Sequence, residues 1–173
     1  RGDPKNRPPF PAQKGYLEKP TCVHNVETFC CVPRIIEHGP AWFADLGSQG
    51  SPGTKLLSIS GDCAMPGIFE VEFGTSLRDV LKACGGEDAQ AVQVGGPSGQ
   101  MVGQADFDRA ICYDDLATGG SLMVFNDTRN VVDIARQFME FFVEESCGYC
   151  TPCRVGNVLL EQRLKDILEG RGS

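Results

Sequence analysis

Three cysteines fall within seven residues, Cys147-Gly148-Tyr149-Cys150-Thr151-Pro152-Cys153, and this run constrains the chain more than any other feature. A C-x2-C-x2-C spacing lets three thiolates reach neighbouring corners of one iron-sulfur cubane while the backbone wraps it. Gly148 lets the chain pass close to inorganic sulfide, and Pro152 stiffens the turn that leads to Cys153. Structural zinc is the alternative, although zinc usually takes paired C-x2-C knuckles far apart in sequence. Three unligated thiols this close together would be prone to oxidation. A bacterial ferredoxin follows its third ligand with a fourth Cys and then Pro; here Asn157 and Val158 occupy those places. No Cys follows Cys153, so a fourth ligand comes either from an upstream Cys that folds back or from outside this chain.

The remaining cysteines bear on the compartment. Nine Cys in 173 residues is a high count, but an odd number with three packed together does not read as a secreted disulfide framework, and a reducing cytoplasm fits better. Cys22, Cys30, Cys31, Cys63, Cys84 and Cys112 show no metal spacing and are expected mostly as small buried hydrophobes. A net charge of -7 without clustered Lys and Arg argues against a nucleic-acid partner. No apolar run is long enough for a membrane span. Arg1-Gly2-Asp3-Pro4-Lys5 has neither an initiator Met nor the apolar core of a signal peptide, and reads as a cut through a longer chain.

The pattern along the chain changes twice. Up to Lys19, prolines and charges without a period predict an extended segment. Asn25 is placed to cap a helix through Val26, Phe29, Cys30 and Ile36, with Pro33 expected to kink it or limit it to its first turns, and Ala41 to Leu46 form another short helical turn. Lys55 to Ser60 and Ile68 to Phe73 predict a hairpin around Pro66-Gly67. Ser76-Leu77-Arg78-Asp79 matches a capping box that opens a helix stopped by Gly85-Gly86. Ala91 to Val94, Ala110 to Cys112 and Leu122 to Phe125 are expected to complete a β-grasp-like sheet. Gly95-Gly96-Pro97-Ser98-Gly99 follows a strand but opens no helix, so it reads as a turn rather than a phosphate loop. Val131, Val132, Ala135, Phe138, Met139 and Phe142 then recur at helical spacing, and a second helix is expected to begin near Cys153.

Glu145-Ser146-Cys147-Gly148-Tyr149-Cys150-Thr151-Pro152-Cys153-Arg154-Val155-Gly156 resembles the E-S-C-G-x-C-x-P-C-R-x-G signature of the NADH-binding flavoprotein subunit (51 kDa type) of respiratory complex I. Its relatives are the diaphorase subunit of NAD-reducing hydrogenases and the NADH-oxidising subunit of formate dehydrogenases. Pro8 to Gly15, Lys19-Pro20-Thr21 and Asn25-Val26-Glu27-Thr28 are similar to the family's P-P-F-P-A-x-x-G, K-P-T and N-N-V-E-T segments, and Pro40 to Gly61 to its A-D-W-F and G-T-K-x-x-x-x-S-G stretch. The resemblance runs over essentially the whole chain.

It implies an α+β architecture: the tail of an FMN-binding α/β domain (1–50), a β-grasp soluble-ligand-binding module (51–126) and the start of a helical [4Fe-4S] bundle (127–173). It also implies FMN and NAD(H) as cofactors beside the cluster, with Cys147, Cys150 and Cys153 as cluster ligands and Val23, His24, Asn25 and Thr28 as neighbours of FMN. His24 replaces the first Asn of the family pair, so the hydrogen bond there is expected to differ. In the family the fourth cysteine lies beyond the position of Ser173 and the glycine-rich nucleotide loop upstream of Arg1. The implied partners are a 24 kDa-type [2Fe-2S] subunit and other subunits of a redox complex, in the cytoplasm or peripheral to the inner face of a membrane.

The implied activity is electron transfer from NADH through FMN to the cluster, as an NADH dehydrogenase or diaphorase. A stand-alone iron-sulfur module without nucleotide binding remains the other reading. Phe142-Val143-Glu144-Glu145 and Arg154-Val155-Gly156-Asn157 tilt the resemblance toward the hydrogenase type. Beside the cysteines, Tyr149 is placed to shield a cluster, and Arg154 either to offset its charge or to pair with Glu144 or Glu145. Phe138, Phe141 and Phe142 are expected as helix-bundle core.

Overall fold

The computed structural model describes residues 2–172. Residues 25–129 form one compact unit, and the chain up to His24 groups with that from Asn130 onward as the other. In chain order the elements are α1 (Val26–His38), α2 (Pro40–Ala44), a short antiparallel ladder of β1 (Gly47–Ser48) with β2 (Ser51–Pro52), β3 (Thr54–Gly61), β4 (Gly67–Glu72), α3 (Leu77–Cys84), β5 (Ala89–Val94), β6 (Gln100–Gly103), β7 (Ser121–Asn126), α4 (Val131–Glu145) and α5 (Thr151–Leu168). Single 3-10 turns cover Tyr16–Glu18 and Gln104–Asp106.

Residues 25–129 are organised by a five-stranded mixed sheet in the order β4-β3-β7-β5-β6. The first and last long strands, β3 and β7, run parallel at its centre, and antiparallel pairs β3/β4, β5/β7 and β5/β6 extend it on both sides. A hairpin, a helix and a return to the centre make the β-grasp arrangement that the strand pattern predicts. Lys55, Leu57 and Ile59 alternate with exposed residues along β3, as a half-buried strand requires. The core joins Leu57 and Ile59 to Leu77, Val80 and Leu81 of α3 and to Val92, Val94, Leu122 and Val124 of β5 and β7. Each of these fully buried aliphatic side chains is worth about 1.5–3 kcal/mol relative to exposure.

The helix α3 forms where the capping signal places it. Ser76 Oγ accepts a bond from Asp79 N at 3.1 Å, and its hydroxyl donates to Asp79 Oδ2 at 2.7 Å. Asp79 is one methylene shorter than the Glu of an ideal box, and its carboxylate meets the serine side chain. Gly85 closes the helix at φ +66°, where a Cβ would also lie 2.8 Å from Ala64 Cβ.

Several expectations need correction. Pro33 neither ends nor confines α1, which runs for 13 residues around it to Gly39. The loss of one amide donor is tolerated in this mostly exposed helix. Ala110–Cys112 is not a strand; only Ala110 makes an isolated bridge, to Ser76. Its place at the sheet edge is taken by β6, which pairs with β5 across the Gly95–Gly99 turn. Gly99 is required there, since a Cβ would stand 1.9 Å from Val94 O. The second terminal helix starts at Thr151, near Cys153 as expected, which puts Cys153 in its first turn.

Of the six cysteines expected in cores, Cys84 and Cys112 are buried, Cys31 and Cys63 half-buried, and Cys22 and Cys30 exposed. The Phe set expected as bundle core is only partly so: Phe141 is exposed and stacks edge-on against half-buried Phe142. No helix among the described residues is long and apolar enough to cross a membrane.

Candidate metal centre

The cysteine turn is built by the end of one helix and the start of the next. Ser146 closes α4 with its N–H on Phe142 O at 3.1 Å, and Cys150 is the N-cap of α5, whose first helical bond runs from Arg154 N to Cys150 O at 2.9 Å. Pro152 lies in the first turn, where no amide donor is needed. Between the helices Gly148 adopts φ +78°, a reversal that a side chain would strain. Cys147, Cys150 and Cys153 therefore sit on one short connection and the first turn of an 18-residue helix, and all three are exposed.

The polar groups around the turn are arranged toward sulfur. Asn157, one helical turn after Cys153, donates its amide to Cys153 Sγ at 3.5 Å, and Ser146 Oγ lies 3.4 Å from the same sulfur. Gly148 N donates to Ser146 Oγ at 3.2 Å, which orients that hydroxyl. Arg154 Nη1 donates to the carbonyls of Gly148 at 2.8 Å and Tyr149 at 3.3 Å. Its guanidinium thus braces the cysteine turn through backbone carbonyls, and among the described residues no Arg154 pair with Glu144 or Glu145 is formed. Tyr149 is largely exposed.

Among the described residues, no three His, Cys, Asp or Glu side chains converge on one point as ligands of a single ion. A cubane makes no such demand, since its irons hold their thiolates at separate corners. Three soft thiolate donors, with amide and hydroxyl groups aimed at one of them at the start of a helix, fit an iron-sulfur cluster.

The four residues expected beside FMN divide between the two units. Asn25 and Thr28 lie in and just before the first turn of α1, while Val23 and His24 belong to the extended segment of the other unit. All four are exposed. Asn25 occupies the N-cap position without a side-chain capping bond. Asn25 and Thr28 border a cavity of about 560 Å³ that Phe43, Lys55 and Tyr113 also line. The cavity lining combines hydrogen-bonding and aromatic side chains.

Sequence reasoning missed Glu27. Its carboxylate accepts from Leu56 N at 2.8 Å and forms an ion pair with the nearly buried Lys55 Nζ, tying α1 to β3. Burial alone would push the Glu27 carboxyl up, but the Leu56 N–H and the bond and charge of Lys55 outweigh it and hold it below the ordinary glutamate range. Glu27 stands inside the Asn25-Val26-Glu27-Thr28 match and Lys55 inside the G-T-K match, so both signals were present; that the two residues, 28 apart, pair with each other was not readable. The nearby Cys31 thiol is pushed up, first by burial and then by Glu27 and its other acidic neighbours.

This geometry is that of a candidate iron-sulfur site, and residues 133–173 match the family described as the NADH-ubiquinone oxidoreductase-F iron-sulfur binding region. The chain is 51% identical over 172 residues to NAD-reducing hydrogenase HoxS subunit alpha of Cupriavidus necator, covering 99% of this chain and 29% of that one. It is 42% identical to NADP-reducing hydrogenase subunit HndC of Solidesulfovibrio fructosivorans, over 100% of this chain and 38% of the relative. With the F-type component of the NADH-quinone oxidoreductase of Escherichia coli it shares 37% identity, over 99% and 41%. A crystal structure of an NAD+-reducing [NiFe]-hydrogenase in the H2-reduced state superimposes with a TM-score of 0.83 at 42% identity, covering 96% of this chain and 30% of that one. The chain spans well under half the length of these relatives.

Proposed function

We propose that this chain is the part of an NADH-oxidising flavoprotein subunit that receives electrons from FMN and holds them on a [4Fe-4S] cluster. The observation that carries this reading is the cysteine turn. Three thiols stand at the start of α5 with Asn157 and Ser146 directed at Cys153 Sγ, inside the segment that matches an iron-sulfur family. When bound, FMN supplies the exchange between two-electron and one-electron chemistry, and the cluster supplies a one-electron relay.

Cys147, Cys150 and Cys153 would ligate three irons, with the fourth ligated from outside residues 147–153. Asn157 and Ser146 would hydrogen-bond the Cys153 thiolate and stabilise the reduced state. Arg154 would keep the ligand loop in its ligating shape. Val23, His24, Asn25 and Thr28 would wall FMN, with residues 1–50 as the end of the flavin domain, 51–126 as the β-grasp module and 127–173 as the helical cluster domain.

The higher identity to hydrogenase components than to the corresponding component of a quinone oxidoreductase supports a hydrogenase-type assembly, in which NADH and a 24 kDa-type [2Fe-2S] subunit would be the partners. Iron and acid-labile sulfide analysis of the full-length subunit, reconstituted anaerobically, tests the reading. About four irons and four sulfides per chain at this site are expected, lost in the Cys150→Ser variant. A colourless product holding zinc alone would remove it.

A further inference from the structure

Outside the cysteine turn, one pair of thiols has been brought together by the fold. Cys63 lies in the loop after β3 and Cys84 is the last residue of α3. Two backbone bonds lash the loop to the helix end, Ala64 N to Gly85 O at 3.1 Å and Met65 N to Cys84 O at 2.9 Å. The loop sits so close that a Cβ on Gly86 would lie 3.4 Å from Cys63 Cβ. Cys84 Sγ lies 3.4 Å from Leu81 O, and Cys63 packs against the same core cluster that holds Cys84. Cys84 is fully buried, whereas Cys63 is half-exposed at the rim of the core.

We propose that Cys63 and Cys84 form a redox-active pair that closes to an intramolecular disulfide on reaction with a low-molecular-weight disulfide. Thiol and disulfide exchange requires an accessible attacking sulfur and a second sulfur within reach of the mixed disulfide. The Cys63 thiolate attacks RSSR, forming Cys63–S–S–R and releasing one RSH. The Cys84 sulfur then displaces the second RSH and forms the Cys63–Cys84 bond. Two protein thiols are oxidised, one RSSR is reduced to two RSH, and the two thiol protons leave on the released thiols.

The roles are unequal for a physical reason. Burial first, and the adjacent Cys63 second, push the Cys84 thiol up, so it serves as the resolving and not the attacking sulfur. The backbone bonds of Ala64 and Met65 to the end of α3 hold the Cys63 loop beside Cys84 in the folded body. Exposed Cys22 and Cys30 have no such neighbour across a fixed backbone contact and serve as internal controls for simple adduct formation.

Trypsin separates the pair, since residues 56–78 carry Cys63 alone and residues 83–109 carry Cys84 alone. The full-length subunit would be exposed to oxidised glutathione, its free thiols blocked with iodoacetamide, and the digest read by mass spectrometry without reduction. The expected product is peptide 56–78 joined to 83–109, about 2 Da lighter than their sum and reversed by dithiothreitol. Cys84→Ser should instead leave glutathione on Cys63, and Cys63→Ser, at the half-exposed position, should leave Cys84 free. Equal alkylation of both cysteines before and after oxidation, or a stable glutathione adduct on Cys63 in the unsubstituted protein, would overturn the proposal; either result is read without any variant having to fold.

Discussion

The helix α3 has eight residues and buries four of them, Leu77, Val80, Leu81 and Cys84; α5 has eighteen and buries none. Only Ile134 is buried on α4. The β-grasp body is therefore held by apolar contacts between its own elements, whereas the two terminal helices pack on each other while Val155, Val158, Leu159 and Leu160 remain exposed. The difference teaches that the two regions take their order from different sources. One closes a core; the other surrounds the cysteine turn with little buried surface of its own, so a bound cluster or further protein surface would add to its order.

The strongest test of this contrast is removal of the metal. Stripping iron from the full-length subunit with a chelator should abolish hydrogen-exchange protection in α4 and α5 while β5 and β7 keep theirs, as read by exchange mass spectrometry. Simultaneous loss in both would show a single cooperative structure. Next in size, Leu77→Ala should cost about 2–5 kcal/mol in urea unfolding, and Leu159→Ala, at an exposed position, less than about 0.5 kcal/mol. A large cost at Leu159 would mean that the exposed face of α5 is covered in the whole subunit.

A third comparison separates the sheet from its tie to α1. Glu27→Gln leaves the nearly buried Lys55 without its counter-charge and should destabilise the body by about 1–3 kcal/mol at neutral pH. The sign with pH follows from the lowered carboxyl. In the native protein this stabilisation is present above the unfolded glutamate range and is lost as pH falls through the lower folded value. The variant should lack that part of the acid-side slope in denaturation curves recorded at several pH values.

The smallest effect falls on the helical side. Asn157→Leu removes a donor from Cys153 Sγ and should lower the cluster potential by no more than about 60 mV, the one-electron equivalent of a tenfold change in equilibrium. A redox titration followed by electron paramagnetic resonance measures it, and an unchanged potential would detach Asn157 from the site.

Local chemistry made much of this legible in advance. Ser76, the Gly85-Gly86 stop and the alternation along β3 each encode their element within a few residues, and the cysteine spacing marks its turn by itself. What escaped was decided at a distance. Gln100-Met101-Val102-Gly103 has little strand character and becomes β6 because β5 offers it an edge, while the more strand-like Ala110–Cys112 finds only one bridge. Pro33 lies inside a helix that local rules expect it to kink or to limit to its first turns, and the helix continues past it to His38. Around the cysteines, the ligand candidates were readable from spacing, but the backbone role of Arg154 and the reach of Asn157 depend on the turn geometry.

The parallel pairing of β3 with β7 has a mechanical consequence. Ser58 faces Ser121 and Gly61 faces Val124, so the chain enters β3 at one end of this pair and leaves β7 at the opposite end. Tension applied through the flanking chain would load the bonds between the two strands in shear, all at once, rather than peel them apart in turn. The β-grasp body should therefore transmit a pull along the polypeptide as a stiff link, and the segments outside it should yield first.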